Sequence, residues 1–177
     1  MSNPLHKVDL RIPTTEDGAS VFRLVSDCPP LDTNSMYCNL LQCTHFANTS
    51  VAAIYKDELV GFTSGYLIPE RPGTLFIWQV AVAEKARGQG LGTRMLASIL
   101  SRSQCCQVTY LETTITDSNR ASWALFEGLA DKLRTQINTS VMFERDNHFR
   151  GEHDTETLLR LGPFNRVLMT NNQEQEK

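Results

Sequence analysis

Residues 87–93 read Arg87-Gly88-Gln89-Gly90-Leu91-Gly92-Thr93, and no other stretch constrains the fold of this chain so strongly. The run ahead of it, residues 74–83, is apolar and reads as a buried strand. Behind it, Leu91, Met95, Leu96, Ile99 and Leu100 recur on one face of a helical pattern. The start of a helix presents backbone N–H groups that have no intrahelical partner, and the macrodipole adds partial positive charge there. Glycines let that backbone come close to a ligand without a Cβ in the way. Strand, glycine loop and helix in this order make a device for gripping an anion such as a phosphate.

The spacing of the glycines decides which device this is. A dinucleotide fold requires G-x-G-x-x-G and a Walker A loop requires G-x-x-x-x-G-K-[ST]. Neither fits residues 87–93. The bland alternative is a glycine-rich turn that merely caps a helix. The strand before the loop and the long amphipathic helix after it weigh against that alternative.

A chain of 177 residues is long enough for one domain with a substantial core. Its 41% hydrophobic and 21% charged content belongs to a soluble globular protein. A net charge of −3 and the lack of a basic run argue against a nucleic-acid surface and suit a cationic small molecule. The N-terminus is polar, without signal-peptide character, and no apolar segment reaches spanning length. These features predict a cytoplasmic protein with no membrane partner. Cys28, Cys38, Cys43, Cys105 and Cys106 are odd in number, form no C-x-x-C pair and read as reduced thiols. His148, His153 and Asp154 have no recognised metal-ligand spacing, so no metal is expected.

Residues 8–12 alternate as a strand, and Thr15-Glu16-Asp17 offers capping chemistry for a helix through Val21, Leu24 and Val25 that Cys28-Pro29-Pro30 ends. Ser35 caps a second helix through Leu40 and Leu41 to about Phe46. Strands are predicted at 50–55, 59–68 and 74–83, with Lys56-Asp57-Glu58 as a hairpin turn and residues 69–73 as the next connection. The glycine-loop helix follows, then a strand at 107–114 and a helix at about 118–133. Strands at 136–143 and 157–161 flank the polar stretch 144–154. Residues 1–7 and 165–177 read as flexible tails around a domain of residues 8–164. The order βαα-βββ-α-β-α-ββ predicts an α/β fold with a mixed central sheet flanked by helices.

The loop fits [Q/R]-x-x-G-x-[G/A], and together with the element order it resembles the GNAT superfamily of N-acetyltransferases. The resemblance implies acetyl-CoA as cosubstrate. It implies that backbone groups of Val80, Ala81 and Val82 pair with pantetheine amides, and that the N–H groups of Arg87, Gly88, Gln89, Gly90, Leu91 and Gly92 hold the pyrophosphate. Thr93 would add a hydroxyl. Asn119 and Ser122, at the head of the next helix, match a position where such proteins contact the pantetheine arm; a helix N-cap is the alternative role. The sequence departs from the family pattern at Phe126, where many members carry a tyrosine that protonates the departing thiolate. Another acid is then needed, or the thiolate leaves unprotonated, which a thiol pKa of about 8.5 makes tolerable.

Three further clusters narrow the resemblance. Pro30-Leu31-Asp32-Thr33-Asn34-Ser35-Met36-Tyr37, Ile77-Trp78-Gln79-Val80-Ala81-Val82 and Glu152-His153-Asp154-Thr155-Glu156, with Thr114, Thr116, Asn119, Ala121 and Ser122, resemble the L-2,4-diaminobutyrate acetyltransferases of ectoine biosynthesis. The implied reaction moves acetyl to the γ-amine of L-2,4-diaminobutyrate. A substrate with two ammonium groups calls for carboxylates and an aromatic face. Asp32 and Glu156 are the expected anionic groups, Trp78 a wall, and Tyr37 and His153 hydrogen-bonding neighbours. Glu156 is the candidate acceptor of the amine proton, and Tyr37 a substitute acid. Asp32 ordering its own loop, Trp78 serving as core and the acids and histidines of residues 148–156 forming a solvated surface are the structural alternatives. An enzyme of the same fold acting on another diamine, and a non-catalytic acyl-CoA-binding module, are the alternative functions. The family resemblance also implies a homodimer.

Overall fold

Seven strands and four helices follow one another in the expected order in a computed structural model of the chain, which describes residues 8–165. They are β1 (Asp9–Arg11), α1 (Gly18–Ser26), α2 (Met36–Gln42), β2 (Val51–Tyr55), β3 (Glu58–Ile68) and β4 (Arg71–Val82), then α3 (Leu91–Leu100), β5 (Tyr110–Thr116), α4 (Arg120–Leu133), β6 (Ile137–Phe143) and β7 (Glu156–Leu161). The strands hydrogen-bond in the order β1-β2-β3-β4-β5-β7-β6. The β4–β5 pair is parallel, whereas β1–β2, β2–β3, β5–β7 and β6–β7 are antiparallel. The sheet is therefore mixed, as predicted. The described residues pack as two compact units, one of residues 8–66 with 77–106, the other of residues 67–76 with 107–165.

In the first unit, Asp17 organises the approach to α1. Its carboxylate accepts two hydrogen bonds from the Arg11 guanidinium, at 2.7 and 2.8 Å, and one from the Thr14 N–H at 2.7 Å. The helix then buries Val21, Leu24 and Val25 in a cluster with Cys28, Cys43, Phe62 and Ala81. Each such aliphatic side chain contributes roughly 1.5–3 kcal/mol on burial. The same burial pushes the Cys43 thiol up to about 11, so it remains protonated at neutral pH. Lys56 and Asp57, at φ 49° and 63°, form a two-residue hairpin turn whose twist suits β2 and β3. On α3 the predicted face, Leu91, Met95, Leu96, Ile99 and Leu100, is buried. A Cβ on Gly61 of β3 would lie 3.1 Å from the Met95 sulfur and 3.2 Å from Leu91, so strand and helix approach closely here and a side chain would oblige these neighbours to give by a few tenths of an ångström.

The second unit centres on β5, with registered pairs Thr74–Tyr110, Leu75–Leu111 and Phe76–Glu112 to β4 and six pairs to β7. Glu112 is buried on β5, and its carboxylate accepts bonds from Arg71 at 2.6 and 3.0 Å and from Arg160 at 2.8 Å. The Arg160 guanidinium also lies 4.1 Å from the centroid of the Tyr110 ring. Three strands are thus tied by one charge cluster. Helix α4 buries Phe126, Leu129, Ala130 and Leu133.

Some boundaries differ from expectation. Helix α2 stops at Gln42 rather than near Phe46, because the N–H groups of Thr44, His45 and Phe46 all turn onto the Leu41 carbonyl. Strand β4 begins at Arg71, so Pro69 and Glu70 alone connect it to β3. Strand β5 begins at Tyr110 and runs to Thr116, two residues beyond the expected end. The predicted tails lie outside the described residues, except Asn165.

Candidate active site

The glycine loop takes the form the sequence required. Residues Glu84–Ala86 make a short 3-10 turn after β4, Gly88 sits at φ 72°, and Gly90, at φ 70°, is the N-cap of α3. Both φ values fall in the left-handed region that side chains disfavour. The first intrahelical bond runs from the Arg94 N–H to the Gly90 carbonyl at 3.0 Å. The N–H groups of Leu91, Gly92 and Thr93 therefore have no acceptor within the helix. A Cβ at Gly88 or Gly90 would meet nothing within 4 Å, so open space lies over the loop. These donors, that space and the dipole of a ten-residue helix suit a pyrophosphate.

At the end of β4 the Val82 carbonyl accepts from Arg87 Nε at 3.0 Å and from the Cys28 thiol at 3.4 Å. Among the expected backbone donors and acceptors, Val80 and Val82 are half-buried and Ala81 is buried in the α1 cluster. Core packing and a backbone role are compatible, since different atoms serve each.

Asp32, Tyr37 and Trp78 belong to the first unit. The Asp32 backbone carbonyl accepts from Gln79 Nε2 at 3.1 Å, and Asn34 Nδ2 donates to Gln79 Oε1 at 3.2 Å. This pair pins the polar loop before α2 to β4, one residue from Trp78. Ser35 caps α2 by accepting from the Cys38 N–H, and Tyr37 in its first turn is 70% exposed. Trp78 is 44% exposed, which removes the reading of it as a fully enclosed core residue. Its ring meets those of Phe46 and Tyr66, which sequence reasoning missed. Neither carried a signal, because pairing across the sheet and the turn after α2 bring them together.

The second unit carries Asn119, Ser122, His153 and Glu156. Asn119 caps α4, its side-chain oxygen accepting from the Ser122 N–H at 3.2 Å. The cap leaves the Asn119 amide NH2 available for a second role. Phe126 is 2% exposed in the α4 core. His153 Nδ1 lies 2.7 Å from the Asp154 carbonyl, an acceptor, so the proton sits on Nδ1 and Nε2 faces Glu156 Oε1 at 4.0 Å. Phe149 packs against the imidazole with centroids 4.6 Å apart. Glu156 opens β7 in register with Thr116 and Phe143, and its side chain is largely buried. His148 instead accepts from the Glu144 N–H, and Asp154 pairs with Arg145. Among the described residues no three His, Cys, Asp or Glu side chains are arranged to hold a metal ion. No helix among them is long and apolar enough to cross a membrane.

Fold order and loop geometry define an acetyltransferase scaffold. The profile of the acetyltransferase (GNAT) family matches residues 19–130, and the chain belongs to that family. Within it, the chain is 62% identical over 160 residues to an L-2,4-diaminobutyric acid acetyltransferase of Methylotuvimicrobium alcaliphilum, covering 90% of this chain and 93% of that one. It is 47% identical to the enzyme of that name from Halomonas elongata, over 88% of this chain and 81% of the relative. Among solved structures it is similar, at a TM-score of 0.86 and 37% identity, to the diaminobutyrate acetyltransferase EctA of Paenibacillus lautus in complex with L-2,4-diaminobutyric acid and coenzyme A. That likeness covers 90% of this chain and 96% of the other.

Proposed function

We propose that this protein transfers acetyl from acetyl-CoA to the γ-amine of L-2,4-diaminobutyrate, giving N4-acetyl-L-2,4-diaminobutyrate and CoA. The observation that carries this reading is the likeness, over nine-tenths of the chain, to a diaminobutyrate acetyltransferase solved with that substrate and CoA. Residues 8–164 form the catalytic domain. The free N–H groups at the start of α3, with those of Arg87, Gly88, Gln89 and Gly90, hold the pyrophosphate, and Thr93 adds its hydroxyl. The backbone of Val80, Ala81 and Val82, the Asn119 amide and the Ser122 hydroxyl receive the pantetheine arm.

The acceptor amine arrives protonated. Neutralising an amine of ordinary pKa at pH 7 costs about 4.6 kcal/mol, so a base must sit beside it. Glu156 takes that proton, directly or through water, and His153, like Tyr37, is a hydrogen-bonding neighbour of the substrate. Asp32 supplies the second negative charge, and Trp78 supplies an aromatic wall. Phe126 has no proton to give, so Tyr37 serves as the acid or the thiolate leaves unprotonated. The enzyme works in the cytoplasm as a homodimer, in the formation of ectoine.

Thiol release with acetyl-CoA and diaminobutyrate tests the reading. Turnover is expected, with kcat/KM higher than for ornithine or lysine. A preference for lysine would transfer the activity to another amine, and no release at all would leave only an acyl-CoA-binding module, the alternative that Phe126 motivates.

A further inference from the structure

Helix α2 and the turn after it carry Asn39, Gln42, Cys43 and Phe46 at the i, i+3, i+4, i+7 spacing of one helical stripe. That stripe lies on the sheet. Cys43 joins the cluster that holds Phe62 of β3, and the Phe46 ring meets that of Tyr66 further along the same strand. Ser64 falls between those two points and, by the alternation of a strand, on the same face. Gly61 and Thr63 point the other way, toward Leu91 and Met95 of α3. The pairs Ala52–Phe62 and Val51–Thr63 run on in register to place Ser50 opposite Ser64. Thr49 Oγ1 donates to the Gly65 carbonyl at 2.6 Å, so the two chains stay side by side at that end. Both serines therefore stand beneath α2.

Asn39, Gln42, Ser50 and Ser64 are all fully buried. Asn39 Nδ2 donates to Gln42 Oε1 at 3.3 Å. Among the described residues, Asn39 Oδ1 and the hydroxyls of Ser50 and Ser64 have no hydrogen-bond partner. Buried polar atoms nearly always find one, in protein or in ordered water. Here three orphaned oxygens, from a helix and two strands, share one interface. The serines are short beside the rings of Phe62 and Tyr66, which leaves room for something the size of a water.

We propose that this interface holds an internal water molecule that donates to Asn39 Oδ1, accepts from the Ser50 and Ser64 hydroxyls and so ties α2 to β2 and β3. Water has both donors and lone pairs to offer, and an enclosed water makes about three such bonds. A monovalent cation would also be ligated by three oxygens. No carboxylate is among them, however, and a buried charge without a counter-charge is costly. The water accounts for a short helix that turns two amides, in place of apolar side chains, toward the sheet. It is independent of the reaction assigned above.

A high-resolution crystal structure of the wild-type protein should show an ordered water roughly 2.7–3.2 Å from Asn39 Oδ1 and from at least one of the serine hydroxyls. In solution, oxygen-17 relaxation dispersion should count a long-lived water that is lost in Ser64→Val, whose methyl groups fill the space. The same variant leaves Asn39 Oδ1 unmet. Hydrogen exchange at the amides of residues 39–43 should then speed up by about tenfold, while those of α3, on the other face, stay within about twofold of wild type. A wild-type crystal with no water at this interface, or an equal count of long-lived waters in wild type and variant, overturns the proposal. Loss of the water with unchanged exchange in α2 overturns the tie. A melting temperature that rises with sodium chloride but not with choline chloride at equal ionic strength, and does so only while Ser64 is present, would make the occupant an ion and overturn it too. If Ser64→Val does not fold, the wild-type crystal decides alone.

Discussion

Asp17 shows how one side chain combines local structure with pH dependence. The Arg11 guanidinium, aided by the Thr14 N–H and opposed by burial, holds its carboxyl below the usual carboxylate range. A folded pKa below the unfolded one gives stability that is present above the ordinary carboxylate pKa and is lost as pH falls through the lowered folded value. Arg11 is partly exposed, so Asp17→Asn should cost only about 1–2 kcal/mol at neutral pH. Urea midpoints for wild type and variant should converge as the solution is acidified. At the proposed base, Glu156→Gln should lower kcat by about 100-fold or more with little change in KM, as steady-state kinetics would show. The cysteines offer a packing test. Cys28, Cys43 and Cys105 are buried and Cys106 is exposed, so a maleimide should label Cys106 first and the buried three only on unfolding.

At the scale of elements, the head of α4 separates two roles for one residue. Asn119→Asp keeps the oxygen that accepts from the Ser122 N–H but removes the amide donor. Thermal stability should stay near wild type while KM for acetyl-CoA rises severalfold if the amide serves the pantetheine arm. Asn119→Ala should in addition lose about 1 kcal/mol of stability. Across β4, β5 and β7, removing the charge of Glu112 would strand two guanidinium groups that now share one carboxylate. Both arginines are part-exposed, so Glu112→Gln should cost about 2–3 kcal/mol in denaturant unfolding, less than a fully enclosed pair would. The strands and helices were largely legible in the sequence because amphipathic periodicity survives wherever one face is buried. Their ends were less so. The stop of α2 at Gln42 depends on three N–H groups choosing one carbonyl, and near the start of β4 the Gly73 carbonyl accepts from the N–H of Thr109, far along the chain.

For the whole molecule, a ligand that binds only the folded state raises stability by mass action. CoA at about 100 times its dissociation constant should add about 2.7 kcal/mol, seen as a rise in melting temperature. Gly90→Ala, which puts a side chain at φ 70°, should shrink that rise and lower the ligand-free melting temperature as well, since left-handed backbone costs a residue about 1–2 kcal/mol. Sedimentation would settle whether two copies associate as proposed.

The glycine loop and its helix were determined by sequence alone, because everything the loop needs is local. Two glycines with positive φ, a run of apolar residues before them and a helical stripe after them lie within thirty consecutive positions. The acceptor side is different in kind. Asp32 is held by Gln79 across a separation of 47 residues, Phe46 and Tyr66 reach Trp78 from other elements, and Arg71 and Arg160 meet on Glu112 from either side. Residue types at those positions told which chemistry was available. Which of them touch was decided only when long-range strand pairing and the burial of α1 and α2 fixed the chain in space, since no local spacing encodes a contact made across a sheet.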